Sequence, residues 1–360
     1  MSLTRRDLLR AGAASFTAFL APAGAPRIAR STPVDPVLVA LFLRGAADGL
    51  NLVVPHGDPG YYDLRPTIRV PPGSELDLDG FYGFHPALAP LLPLFQSGEL
   101  AVIHAVGSPH ETRSHFDAQH FMETAVVGDR RADEGWLNRC LSVLGERESI
   151  AGITLDFSAS RSLRGPGPNL AFPSIGSFDL DAAFRDPRRR ALEALYGSSS
   201  TDPMARAAVS AFATIDSVSG VQPAGSVAFP RIGDAMRDVA ALIKAQIGVR
   251  AVAVQMHGWD LHTDEATRLG PVAGELGETL AAFHADLGAF APQTLTLAMT
   301  EFGRTARENG GRSSPGHLRS GTLHSPLGFG HLGAVLHGLV HQVGEGPGPH
   351  ILARARSGAG

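Results

Sequence analysis

Three segments of this chain run from an apolar, strand-like stretch into side chains able to hold a metal ion or an oxyanion. Val37-Leu38-Val39-Ala40-Leu41-Phe42-Leu43 leads into Arg44-Gly45-Ala46-Ala47-Asp48-Gly49-Leu50-Asn51. Val252-Ala253-Val254-Gln255-Met256 leads into His257-Gly258-Trp259-Asp260-Leu261-His262. Leu295-Thr296-Leu297-Ala298-Met299-Thr300 leads into Glu301-Phe302-Gly303-Arg304-Thr305. Ligands of an open α/β sheet bind at the carboxyl ends of its strands. The three segments are therefore expected to bring Asp48, Asp260, His262, Glu301, Arg44 and Arg304 to one edge. Carboxylates and imidazole suit a divalent cation, and a guanidinium fork suits phosphate or sulfate.

Each residue also has a plainer reading. Asp48-Gly49 is a common turn pair, and Asn51 suits a cap as well as a ligand. Asp260 and His262 stand two apart in extended chain, so their side chains point the same way, as half of a zinc set would. The alternative is a surface loop whose Asp264 and Glu265 form a solvated acidic face. Trp259 is placed to shield the site from water, and His257 is one further ligand candidate. Glu301 is read as a metal ligand and Arg304 and Arg44 as anion binders, or else Glu301 and Arg304 as a salt bridge closing the sheet edge. Ser114 is the nucleophile candidate, at a helix N-terminus whose field favours negative charge. Ser114-His115-Phe116-Asp117 equally fits a capping pattern. Thr112 is a second hydroxyl there, with Arg113 and His115 beside it. The chain has no G-x-S-x-G elbow, Walker loop, H-E-x-x-H or strand-linked G-x-G-x-x-G.

The elements that must position these residues alternate in the parallel-sheet manner. Strands are expected at 37–43, 100–106, 153–157, 250–256 and 294–300. Helices are expected at 87–96, from 114 onward, at 136–144 and at 271–290, where Leu276, Leu280, Phe283, Leu287 and Phe290 share a face. Residues 180–247 read as a mostly helical insert, with helices at 188–196, 203–217 and 232–247. The expected fold class is α/β, with one mostly parallel central sheet and helices on both faces. Composition agrees: 44% hydrophobic and 18% charged over 360 residues supplies a core. A net charge of −4 without a long basic block argues against nucleic-acid binding, and the single Cys140 excludes an intrachain disulfide.

The ends read differently. Residues 1–25 combine Arg5-Arg6, an Ala-rich apolar run to Leu20 and small-residue exits, the pattern of an export signal of the twin-arginine type. The run is too short to span a bilayer well, so the expected location is periplasmic or extracellular, with no stable membrane span. Residues 26–36 read as a linker. After Glu308 the only acidic residue is Glu345, while six histidines fall between 317 and 350. Residues 313–360 are therefore read as a diverged, poorly ordered tail, or as the product of a reading-frame change.

Several stretches in combination resemble the bacterial domain-of-unknown-function family 1501. They are Phe42 to Pro55, Tyr61-Tyr62-Asp63-Leu64-Arg65-Pro66, Arg113 to Gln119, Gly135-Trp136-Leu137-Asn138-Arg139, Gly258 to His262 and Thr300 to Thr305. The resemblance covers roughly residues 1–312 and implies kinship with the alkaline phosphatase and sulfatase superfamily, hence an alkaline phosphatase-like α/β domain over 37–312. By that analogy Asp48 is the first-strand metal ligand, Ser114 the nucleophile position, Asp260 and His262 a later ligand pair, and Glu301 stands near an Asp-His pair of the relatives. Phe302 occupies the place of that His. The family's Gly-Thr-Asp-His-Gly segment is replaced here by Ser313-Ser314-Pro315-Gly316-His317. The expected function is a metal-dependent hydrolase of small anionic phosphate or sulfate esters, holding Zn, Mg, Mn or Ca. The alternative is a non-catalytic exported binding or assembly protein that keeps the fold without a complete site.

Overall fold

A computed structural model of the chain describes residues 35–104, 108–145, 150–178, 213–223, 227–230, 233–309, 332–337 and 351–352, with a few positions between 187 and 194. The expected export signal, nearly all of the linker, and the helices at 188–196 and 203–217 lie wholly or largely outside the described residues.

The central sheet has eight strands: β1 (Val37–Leu43), β5 (Leu100–His104), β6 (Gly152–Leu155), β7 (Asn169–Phe172), β8 (Ala251–Met256), β9 (Thr294–Met299), β10 (Leu332–His337) and β11 (Ile351–Leu352). Their order is β11-β5-β10-β9-β1-β8-β6-β7. All neighbours are parallel except β10, which runs antiparallel to β5 and β9. The mostly parallel α/β sheet expected from the sequence is thus present. Of residues 313–360, the described ones belong to this sheet.

β1 lies in the middle because both its faces are apolar, as a parallel strand covered on two sides requires. Leu41 pairs with Val254 on one side and Ala298 on the other. Val37, Val39, Leu41 and Leu43 join the larger core, while Leu38 and Ala40 join a smaller core on the opposite face. The smaller core is closed by Leu137 and Leu141. They come from the helix Trp136–Leu144, here α2, which follows α1 (His115–Thr124). The larger core is covered by α3 (Asp234–Lys244) and α4 (Glu265–Leu287). Helices therefore lie on both faces.

Two helices differ from expectation. α4 starts six residues before Pro271, which had read as its first position. Leu269 and Ala273 extend the buried stripe that Leu276, Leu280, Phe283 and Leu287 continue, and that burial outweighs the missing proline N–H. Phe290 falls in the following 3₁₀ turn. The expected helix 87–96 is a 3₁₀ turn over Pro86–Leu91 followed by a short helix, Leu92–Gln96, because Pro90 and Pro93 break the ladder.

The excursion after β1 carries a small antiparallel sheet of β2 (Val53–Val54), β4 (Gly83–Phe84) and β3 (Leu76–Asp77), in that order. Among the described residues, no helix is long and apolar enough to cross a membrane.

Candidate metal centre

The carboxyl ends of β1, β8 and β9 meet at one edge, and their exits are tied to one another. At the end of β1, Gly45 has φ +120°. A Cβ there would lie 2.3 Å from the backbone nitrogen of Asp260. Only glycine accepts both the conformation and this approach. Arg304, after β9, is buried. It donates from Nε to the carbonyl of Ala46 (2.8 Å) and from Nη2 to the carbonyls of Gly45 (2.8 Å) and Trp259 (3.2 Å). Its Nη2 also donates to Asp260 Oδ1 at 3.0 Å. One guanidinium thus staples the β1 exit to the β8 exit.

The β8 exit alternates. Trp259 and Leu261 are buried in the larger core, while Asp260 and His262 face solvent. Trp259 therefore anchors the loop from beneath rather than roofing the site. Asp260 and His262 share a side, and His262 Nε2 lies 2.8 Å from Asp260 Oδ1.

Glu301 is buried at the end of β9. Its carboxylate accepts hydrogen bonds from the Gly45 N–H (3.0 Å), Gln119 Nε2 (2.9 Å) and His115 Nδ1 (2.8 Å). Burial by itself would raise its pKa. The bonds from His115, Gln119 and backbone N–H groups overcome that and hold it at about 2. A carboxylate accepting at Nδ1 fixes the proton on that nitrogen. The Nε2 lone pair of His115 is then left facing outward, 3.6 Å from Asp260 Oδ1. The ring is held from the side by Phe302, at 4.8 Å between centroids.

Among the described residues, His115, Asp260 and His262 form a group able to hold a metal ion, with one ligand atom from each all within 4.8 Å of one another. Tetrahedral zinc sets its ligand atoms about 3.3 Å apart at bond lengths of about 2 Å, so small side-chain movements suffice. The side chains of His115, Asp260 and His262 are 24%, 48% and 50% exposed, which leaves one face of the group open to solvent.

Asp260 and His262 are the two expected ligands brought together here. Glu301 stands one residue further back, orienting His115. Asp48 belongs to another, buried network. Its Oδ1 accepts from the Leu50 N–H (3.1 Å), and its Oδ2 pairs with Arg65, which donates to the carbonyls of Ala306 (2.9 Å) and Thr305 (2.7 Å). Asn51 joins the same network, donating to Glu265 Oε1 at 3.3 Å and accepting from the Tyr61 hydroxyl at 2.7 Å. Burial raises the Tyr61 pKa. Glu265 is thus buried rather than part of a solvated face. Arg44 is satisfied by Glu123 Oε2 (2.8 Å) and Gln255 Oε1 (2.9 Å). Ser114 is exposed and caps α1, its Oγ accepting from the Asp117 N–H at 3.4 Å. His257 is exposed and outside the group of three.

His115 is the member of this group that the sequence offers only as a neighbour of Ser114. The signal was its spacing from Gln119: four residues apart on one helix, the two share a face, and both reach Glu301.

The family described as "Protein of unknown function (DUF1501)" matches residues 100–345. The chain belongs to this family. The DUF1501 match takes in His115, Asp260, His262, Glu301 and Arg304 and runs past residue 312, while the Asp48 and Arg65 segments precede it. No curated protein and no solved structure matches the chain.

Proposed function

We propose that the chain is an exported, metal-dependent hydrolase of phosphate or sulfate esters, of alkaline phosphatase-like ancestry, whose cation is held by His115, Asp260 and His262. One observation carries the reading. A buried Glu301 carboxylate presents His115 Nε2 to an open Asp260–His262 pair at the carboxyl edge of a parallel sheet. Histidine ligands oriented by a carboxylate are a recurrent means of strengthening metal binding, and three ligands with an open face are the catalytic rather than the structural pattern. Two imidazoles and one carboxylate suit Zn²⁺ or Mn²⁺ better than Ca²⁺ or Mg²⁺, which prefer all-oxygen sets.

A cation so held supplies Lewis acidity, polarising an ester oxygen and lowering the pKa of water toward about 7. The chain's own groups have separate tasks. Glu301 keeps the proton on His115 Nδ1, and Arg304 fixes Asp260 against the β1 exit. Ser114 serves as a helix cap, so attack is assigned to solvent water rather than to its hydroxyl. Arg5-Arg6 and the apolar run behind them support export to the periplasm.

One observation favours a second reading, an exported binding or assembly protein. The two arginines expected to grip an anion, Arg44 and Arg304, are both in ion pairs, with Glu123 and Asp260. Metal analysis of the purified chain combined with an aryl phosphate and aryl sulfate panel separates the two. Turnover that disappears together with the metal in Asp260→Ala supports the hydrolase. No metal and no turnover supports the binding protein.

A further inference from the structure

We infer, resting on the cation site of the hydrolase reading, that the buried network around Arg65 is a positioning frame for that site and sets its affinity for the ion without touching it. Arg65 is fully buried, and its guanidinium is shared between two strand exits. It pairs with Asp48, three residues past Gly45 at the end of β1. It also donates to the carbonyls of Thr305 and Ala306, past the end of β9. Thr305 directly follows Arg304, whose guanidinium holds Asp260 and the carbonyls of Gly45, Ala46 and Trp259. Two guanidiniums thus act in series. Arg65 joins the β9 exit to the β1 exit, and Arg304 joins the β1 exit to the loop that carries Asp260 and His262.

The backbone held in this way has no ladder of its own. Residues 300–309 form neither helix nor strand, so tertiary bonds set their path. Upstream, the Glu301 carboxylate is bonded to Gly45, Gln119 and His115. Downstream, the Arg65 bonds are joined by Glu308. Its N–H donates to the Leu64 carbonyl at 3.0 Å, and its carboxylate accepts from the N–H groups of Thr67 and Ile68. The same network reaches the ligand loop from its far side. Asn51 donates to Glu265 Oε1 at 3.3 Å, and Glu265 is a buried residue three positions after His262.

Stability alone does not call for this arrangement. A buried ion pair is often worth no more to the fold than well-packed apolar residues of similar volume. An apolar side chain, however, cannot bond two carbonyls on one exit while gripping a carboxylate on another. What the guanidinium adds is direction. A ligand set loses affinity when its supports slacken by about 1 Å. Removing a partner bonded directly to a ligand weakens metal binding about 10- to 100-fold. Arg65 stands further back than such a partner, so its effect is expected to be about five- to tenfold.

The test measures Zn²⁺ affinity of the full-length chain by competition with a chromogenic chelator, alongside denaturation of the metal-free chain. Three variants are compared with the wild type. Asp48→Ala with Arg65→Met removes the ion pair and its carbonyl bonds together, and is expected to bind zinc about five- to tenfold more weakly while keeping most of its stability. Glu308→Ala removes the outer part of the same hold and is expected to bind about two- to threefold more weakly. Phe283→Ala lowers stability through the core behind α4 and is expected to bind as the wild type does. Wild-type affinity in the double variant overturns the inference, as does affinity that falls as far in Phe283→Ala as in the double variant. Where the double variant does not fold, Glu308→Ala decides in its place by the same criterion. Failure of the hydrolase reading shows separately, as absent turnover of aryl phosphates and sulfates by a wild type that binds zinc more tightly than the double variant.

Discussion

Glu301 ties the end of β9 to the β1 exit and to α1 through bonds from Gly45, His115 and Gln119. Its folded pKa of about 2 against an ordinary 4.5 corresponds to about 3 kcal/mol. A depressed carboxyl stabilises the fold above its unfolded pKa and loses that contribution as the pH falls through its folded value. Glu301→Gln is therefore expected to unfold at lower denaturant concentration than wild type at pH 7, with the gap closing between pH 4.5 and about 2. A denaturation series across that range measures it. The same variant is expected to weaken zinc binding by about 10- to 100-fold, since His115 loses the partner that orients its ring. A chain in which Glu301 were itself the principal ligand would instead lose the metal outright.

At the scale of elements, the site depends on the β1 and β8 exits lying against each other. Gly45→Ala puts a methyl 2.3 Å from the Asp260 nitrogen at a φ of +120°, so the loops must part. The expected cost is about 2–4 kcal/mol, read by chemical denaturation, with loss of zinc binding alongside. α4 supplies the packing behind these loops. Phe283, fully buried on its inner face, is expected to cost about 3–5 kcal/mol as Phe283→Ala, with little change in metal affinity in the fraction that stays folded. The periodicity of α4 was legible because apolar spacing reports burial directly. Its start was not, because proline at a first turn and proline inside a helix look alike in sequence. β1 was legible as a continuous apolar run, and β8 and β9 as strand-like runs broken by Gln255 and by Thr294 and Thr296. The wall that supplies the third candidate ligand was harder to see, since His115 shares its helix face with Gln119 four residues on and reads locally as part of a cap.

At the scale of the whole molecule, two of the polar networks at the sheet edge among the described residues differ in kind. One is the open group of His115, Asp260 and His262 with Glu301 behind it. The other is closed: Asp48, Arg65, Asn51, Tyr61 and Glu265 tie the long excursion after β1 to residues 305–308. Glu308 completes the tie by accepting from the N–H groups of Thr67 (2.9 Å) and Ile68 (3.0 Å). The sequence offered Asp48 and Asp260 as equivalent strand-end carboxylates. They part company because Arg65, seventeen residues on, claims Asp48, a pairing that no local pattern announces. Breaking that buried pair by Asp48→Ala is expected to cost about 3–5 kcal/mol, because the arginine is left charged and uncompensated. Asp48→Ala with Arg65→Met is expected to recover most of the loss, as a denaturation double-mutant cycle will show.

His115, Gln119, Asp260, His262, Glu301 and Arg304 fall within the DUF1501 match while the β1 exit that supports them precedes it, and the proposed cation site is the claim on which the rest depends. Its most direct measurement is zinc binding by equilibrium dialysis to the full-length chain and to His115→Ala and His262→Ala. One ion per wild-type chain, with binding lost in both variants, is the expected result. A wild type that binds no ion, or variants that bind as the wild type does, would contradict it.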